Sequence, residues 1–184
     1  MLGPDDSALI SRWSAAGTGT MEGVQELQQL TQLRQLRQVR QVRARVVLDL
    51  LAVEQMPSWA AHALEAGLDC ASLREVAGMD GHDPRQVRAV FHAALDELGA
   101  PALDEEQARW EMARVWARAI VEGTVRPYEG ARRIWWEAAS PLELPDALVD
   151  FVALASEWED APAHRAAYEQ DIVQAARQLL TSDG

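Results

Sequence analysis

From residue 57 onward the chain is punctuated at short intervals by Pro57, Gly67, Gly78, Pro84, Gly99, Gly123, Pro127, Pro145 and Pro162. Proline just inside a helix start and glycine just past its end are the residues that open and stop helices. Between these marks apolar residues recur at three- and four-residue spacing, and no stretch sustains an alternation of period two. A sequence of this kind builds short helices joined by tight turns. The predicted fold class is all-α, with about eight helices in two packed helical subdomains, preceded by a low-complexity Arg/Gln/Leu helix.

The predicted organisation is a disordered stretch over 1–20, an Arg-rich helix over 21–45, an N-terminal helical subdomain over 46–100 and a C-terminal helical bundle over 104–181. Ala100-Pro101-Ala102 reads as the linker. Val46 to Gln55 reads as a helix ending before Pro57, and Ser58 as the cap of a helix through Ala66. Ser72-Leu-Arg-Glu75 has the form of a capping box, and Asp83-Pro84-Arg85-Gln86 supplies an N-cap, a proline at the first helical position and a glutamine at the third. Asp104-Glu-Glu-Gln107 opens a helix to Glu122 that is apolar on two faces, as expected of a central helix.

The segment from Gln25 to Arg45 places Leu27, Leu30, Leu33, Leu36, Val39 and Val42 at every third position. An α-helix turns about 100° per residue, so this spacing drifts about 60° per repeat and spirals around the helix. It cannot seat one face on a core, and the expectation is that the repeat adds little to the core and extends a helix past the domain. Self-association through residues 25–45 is the function it suggests.

Composition removes many activities. All 17 basic residues among 184 are arginine, and the sequence has no lysine and no asparagine. A phosphate-loop lysine and a Schiff-base lysine are therefore excluded. Cys70 stands alone, so no internal disulfide forms; it precedes a helix start, where the dipole can lower a thiol's pKa, but the expected role is structural. His62, His82, His92 and His164 show no zinc-site spacing. No catalytic residue, cofactor or metal is expected. The first residues carry neither a basic leader nor an apolar signal core, and the expected location is cytoplasmic.

Two features point to binding. Seven tryptophans are present, and most sit at core spacing, but Trp136 falls outside the inner face set by Ala131, Ile134 and Trp135. Arg132, four residues earlier, is placed to stack on it, and Trp with Arg is the composition of an interface hot spot. The acids are also concentrated. Between Arg133 and Arg165 no arginine occurs, while Glu137, Glu143, Asp146, Asp150, Glu157, Glu159 and Asp160 do. The expected function is a non-enzymatic protein-interaction module that docks a basic partner through Trp136, Arg132, Asp146, Asp150 and Glu157. One alternative is a helix-turn-helix-like DNA-binding regulator using Arg85 and Arg88 on the helix from Pro84 to Leu98; another is an enzyme of an unrecognised class. Three arginines against five acids over 71–98 make specific nucleic-acid binding the weaker reading.

Trp59-Ala-Ala-His-Ala-Leu-Glu-Ala-Gly67, Ser72-Leu-Arg-Glu-Val-Ala-Gly78 and Ala119-Ile-Val-Glu-Gly-Thr-Val-Arg-Pro-Tyr-Glu-Gly-Ala131 resemble stretches of small helical proteins of high-GC actinobacteria. The pattern Ile120-x-x-Gly123-x-x-x-Pro127-x-x-Gly130 is similar to turns in immunity proteins, which bind and silence a partner toxin. What the resemblance implies is an immunity-type inhibitor, with no catalytic residue.

Overall fold

The computed structural model describes residues 21–182; the stretch 1–20, expected to be poorly ordered, lies outside them. Among the described residues the chain forms eight α-helices and no strand. They are α1 (Met21–Val47), α2 (Met56–Glu65), α3 (Ala71–Ala77), α4 (Pro84–Glu97), α5 (Glu105–Val121), α6 (Pro127–Ile134), α7 (Asp146–Asp160) and α8 (Arg165–Thr181). No helix is long and apolar enough to cross a membrane. Contacts divide the chain into two compact units, residues 30–111 and residues 112–184 with the stretch before 30. The division falls within α5, after Glu111, and not at the Ala100-Pro101-Ala102 linker.

In the first unit α2, α3 and α4 pack together around Leu73, Val76, Val87, Phe91 and Leu95. Trp59 meets the Phe91 ring edge-on at 5.3 Å. Val39, Val42 and Val46 of α1 are buried in the same core. That corrects the expectation for the repeat. Drift around the helix exposes its leucines, but the last turns come round to the core as valines. Arg43, only 5% exposed, is held there by Asp96 and by His92.

Helix ends explain the other departures from the sequence reading. No helix runs from Val46 to Gln55: α1 continues to Val47 and ends with Asp49 at φ 55°. Leu50 N–H then reaches the Arg45 carbonyl at 2.7 Å and Asp49 N–H the Val46 carbonyl at 3.1 Å. This is the six-to-one, five-to-two closure that usually carries glycine in the left-handed position. Ser58 is not a cap, because α2 already starts at Met56 with Pro57 in its first turn. Ser72 and Glu75 form no capping box either. Cys70 is the N-cap of α3, and Ser72 donates from both N–H and Oγ to the Glu97 carboxylate of α4, at 3.2 and 2.6 Å.

The caps at Asp83 and Asp104 form as expected. Asp83 accepts from the N–H groups of Arg85 and Gln86. Asp104 and Gln107 exchange side-chain-to-backbone bonds at 2.7 and 3.1 Å. No residue of α5 from Ala108 to Ile120 is exposed.

In the second unit α6, α7 and α8 pack mutually. The turn from α5 to α6 accounts for each residue of the Ile-Gly-Pro-Gly pattern. Gly123 takes φ 70° beyond the end of α5, and Pro127 opens α6. Gly130 faces Ile120, where a Cβ would collide with Ile120 Cγ1 and lie 2.7 Å from its Cδ1. The pattern encodes a close helix corner.

The two halves of the repeat should respond differently to truncation of a side chain. Val39→Ala or Val42→Ala should destabilise the first unit by about 1.5–3 kcal/mol. Leu33→Ala, at an exposed position, should stay within about 0.5 kcal/mol in dilute solution. Urea unfolding of the three variants checks this, and equal small effects would place the whole repeat outside the core.

Candidate functional site

Helix α6 does not stop at Ile134. It continues as a π turn over Trp135–Ala139, closed by Ser140 N–H to the Trp135 carbonyl at 2.9 Å. In an ideal α-helix Ala139 would point about 100° away from Ala138. The additional residue in the turn lets both alanines go inward, and both are fully buried. It also alters the relation of the two tryptophans. Neighbours in an α-helix do not face each other, yet Trp135 and Trp136 stack at 4.8 Å between centroids and 8° between planes. Trp136 is 57% exposed, with one face against Trp135. π turns inside α-helices are frequent at functional sites.

The surface beside it is an open pocket of about 300 Å³ lined by Glu129, Arg132, Arg133, Trp136 and Glu137. These residues lie three, four, seven and eight positions apart, along one stripe of α6 and its π turn. Arg133 spreads its guanidinium over the Trp116 ring at 4.4 Å. Glu137 accepts the Trp116 indole N–H at 2.8 Å and lies 3.4 Å from Arg133. Trp116, Arg133 and Glu137 thus join α5 to the pocket floor.

Arg132 does not stack on Trp136, contrary to the sequence reading. It lies 5.8 Å from the Tyr128 ring centroid and 3.8 Å from the Glu159 carboxylate. Tyr128 donates to the same carboxylate, and burial first, then Glu159, raises the phenol's pKa, so the hydroxyl stays a donor. The ring of Tyr128 stacks on Trp158 at 3.7 Å, and Arg165 lies over Trp158 at 3.9 Å. This three-layer stack joins α6, α7 and α8. Sequence spacing shows Trp158 as a core residue, but the stack is a tertiary meeting of three helices that no local pattern announces.

The acidic tract separates into two sets. Glu137 and Glu159 are engaged as described, and Glu157 accepts the Tyr168 hydroxyl at 3.2 Å. Asp146 and Asp150 are one helical turn apart on α7, exposed, and without an ion-pair partner among the described residues. Val149, 42% exposed, lies between them. Helix α7 packs against the π turn, so the aspartates and Trp136 belong to neighbouring elements.

The residues of the DNA reading lie in the first unit. Arg85 is exposed, but Arg88 is 3.4 Å from Asp49. His92 and Asp96, further along that stripe of α4, are occupied by Arg43. Arginine only donates, so His92 Nδ1 accepts at 3.3 Å and the ring's proton sits on Nε2. Cys70 is no better placed for chemistry. Its thiol approaches the Ala94 carbonyl at 3.7 Å, and burial raises its pKa, the reverse of what a helix dipole would do to a nucleophile. Among the described residues no group of three or more His, Cys, Asp or Glu could hold a metal.

Comparison with protein-family models, curated proteins and solved structures finds no match to this chain.

His92 makes a pH prediction. Burial first, then the charge of Arg43, holds its pKa below the ordinary 6.5, with Asp96 opposing and Arg88 adding. Below that value the unfolded chain binds more protons than the folded one, so stability rises with pH. The contribution is fully present above the unfolded pKa and is lost as pH falls through the folded one. Urea midpoints from about pH 7.5 to 5 should fall less steeply for His92→Gln than for the native chain. Equal slopes would show that the Arg43–His92 contact carries no such linkage.

Proposed function

We propose that the chain is a non-enzymatic protein-binding module whose contact surface lies around Trp136 and whose partner is basic. The observation that carries this reading is Trp136, a large indole kept in water with its inner face on Trp135. Full burial of a large apolar side chain is worth about 1.5–3 kcal/mol, and the share belonging to the 57% of Trp136 still exposed is left for a partner to gain. Tryptophan is also among the residues that dominate interface hot spots.

Charge supports a basic partner. Glu129 in the pocket and Asp146 and Asp150 on α7 are exposed acids with no ion-pair partner among the described residues. Acids of one sign speed encounter with a positive surface and disfavour acidic competitors. A guanidinium or ammonium group from the partner can settle over the open face of Trp136 and against Glu129. Within this class we favour an immunity-type inhibitor, a small acidic helical protein that silences a basic partner. Glu157 leaves the set of contact residues named from sequence, because it already holds Tyr168.

The test is capture of a partner from the native host by the immobilised chain, followed by rates for two variants. Trp136→Ala should speed dissociation by about tenfold or more. Asp146→Arg with Asp150→Arg should slow association by about tenfold at low salt, with helix content unchanged. If neither variant alters binding of the captured protein, this surface is not the interface.

A further inference from the structure

The second unit contains two stacks of paired rings, and they differ at one layer. Tyr128 lies on Trp158 at 3.7 Å between centroids and 13° between planes, and the Arg165 guanidinium lies over Trp158 at 3.9 Å. Trp135 lies on Trp136 in the same near-parallel way, but among the described residues no cation lies over Trp136. The two arginines beside it are held elsewhere: Arg132 by Glu159 near the Tyr128 ring, Arg133 by Glu137 over the Trp116 ring. Glu159 and Glu137 thereby offset the two positive charges that border the pocket. Glu129 lines the same pocket, is exposed and has no ion-pair partner among the described residues, so the charge left without a counterpart there is negative.

We infer, on the reading of Trp136 as a protein contact, that the third layer of its stack is an arginine side chain of the partner protein. Its guanidinium lies flat on the open face of Trp136 and turns an N–H edge toward the Glu129 carboxylate. The chain has no lysine, so its own stacks do not choose between the two cations. The shape of the pocket does. It is open, and one ring and one uncompensated carboxylate face its occupant. An ammonium group is compact and strongly hydrated, and it gains most from an aromatic ring when it is stripped of water. In an open pocket it keeps that water. A guanidinium is planar and more weakly hydrated, so it can lie on a single ring while its edge stays with water and with the carboxylate. Tryptophan and arginine are also among the residues that meet across interface hot spots.

Titration of the full chain with N-acetyl-arginine methylamide at constant ionic strength, followed by nuclear magnetic resonance, tests the assignment. The Trp136 indole N–H signal should shift with half-saturation at about 10 mM. N-acetyl-lysine methylamide should bind at least about fivefold more weakly. The Trp158 signal, whose ring already carries Arg165, should stay in place. Trp136→Ala should abolish the shifts at the backbone amides of Glu129 and Arg132, and Glu129→Gln should weaken binding by about threefold. Both positions are exposed, so circular dichroism should be unchanged. Equal binding of the two blocked residues, a shift shared by Trp158, or no saturation by about 100 mM would overturn the inference. Free arginine binding more than about tenfold tighter than the blocked residue would make this a small-molecule pocket and overturn it too. Failure of the blocked arginine while Trp136→Ala still releases a captured protein would remove the arginine and leave the contact surface standing. Selective binding of the blocked arginine, with a captured protein indifferent to Trp136→Ala, would remove the contact surface instead.

Discussion

Ile120 fills the space where Gly130 has no side chain, and the arrangement of the second unit follows from that contact. The close approach fixes α6 against the end of α5. With the two helices at that distance, Arg133 can lie over Trp116, and Glu137 can accept the Trp116 indole N–H while lying beside Arg133. Glu137 belongs to the π turn, so its bond to Trp116 holds that turn in place. The turn in turn sends Ala138 and Ala139 inward and leaves Trp136 outside on the face of Trp135. A packing requirement at Gly130, less than about two helical turns earlier, thus sets which tryptophan meets solvent.

The use of arginine to the exclusion of lysine has a counterpart in this packing. Arg133 over Trp116, Arg165 over Trp158 and Arg132 near Tyr128 each bring a planar guanidinium to an aromatic ring. An ammonium group is a point charge and cannot stack in this way. The carboxylates that accompany the stacks, Glu137 and Glu159, are held within the second unit. The exposed acids without an ion-pair partner among the described residues are consequently fewer than the sequence suggests, and in this unit they include Glu129, Glu143, Asp146, Asp150 and Asp160.

What was legible in the sequence divides along physical lines. Three helices end in the same left-handed closure at Gly67, Gly99 and Gly123, and glycine announces each one. The same hydrogen-bond pattern occurs at Asp49 and Glu143, with φ of 55° and 60°, and neither residue signals it. The false helix from Val46 to Gln55 came from that silence at Asp49. Leu144, at φ 59° ahead of Pro145, is a further left-handed residue that local preference argues against. The period of three in α1 correctly foretells exposed leucines, but not that Val39 and Val42 would reach the core. Trp136 stood out because its neighbours occupy the inner face. Its partner could not be read, since the π turn that puts Trp135 behind it changes the helical spacing on which the reading depends.

The most direct test of this account is exchange of the indole N–H protons with solvent, followed by nuclear magnetic resonance. The Trp116 proton, bonded to Glu137 at 2.8 Å, should be protected, while the Trp136 proton exchanges at once. In Gly130→Ala, where a Cβ pushes against Ile120, the corner opens, and protection at Trp116 should fall by about tenfold or more, the equivalent of at least about 1.4 kcal/mol. Protection at Trp116 that is no greater than at Trp136, or that survives Gly130→Ala unchanged, would contradict the claim that the Ile120–Gly130 contact positions the site.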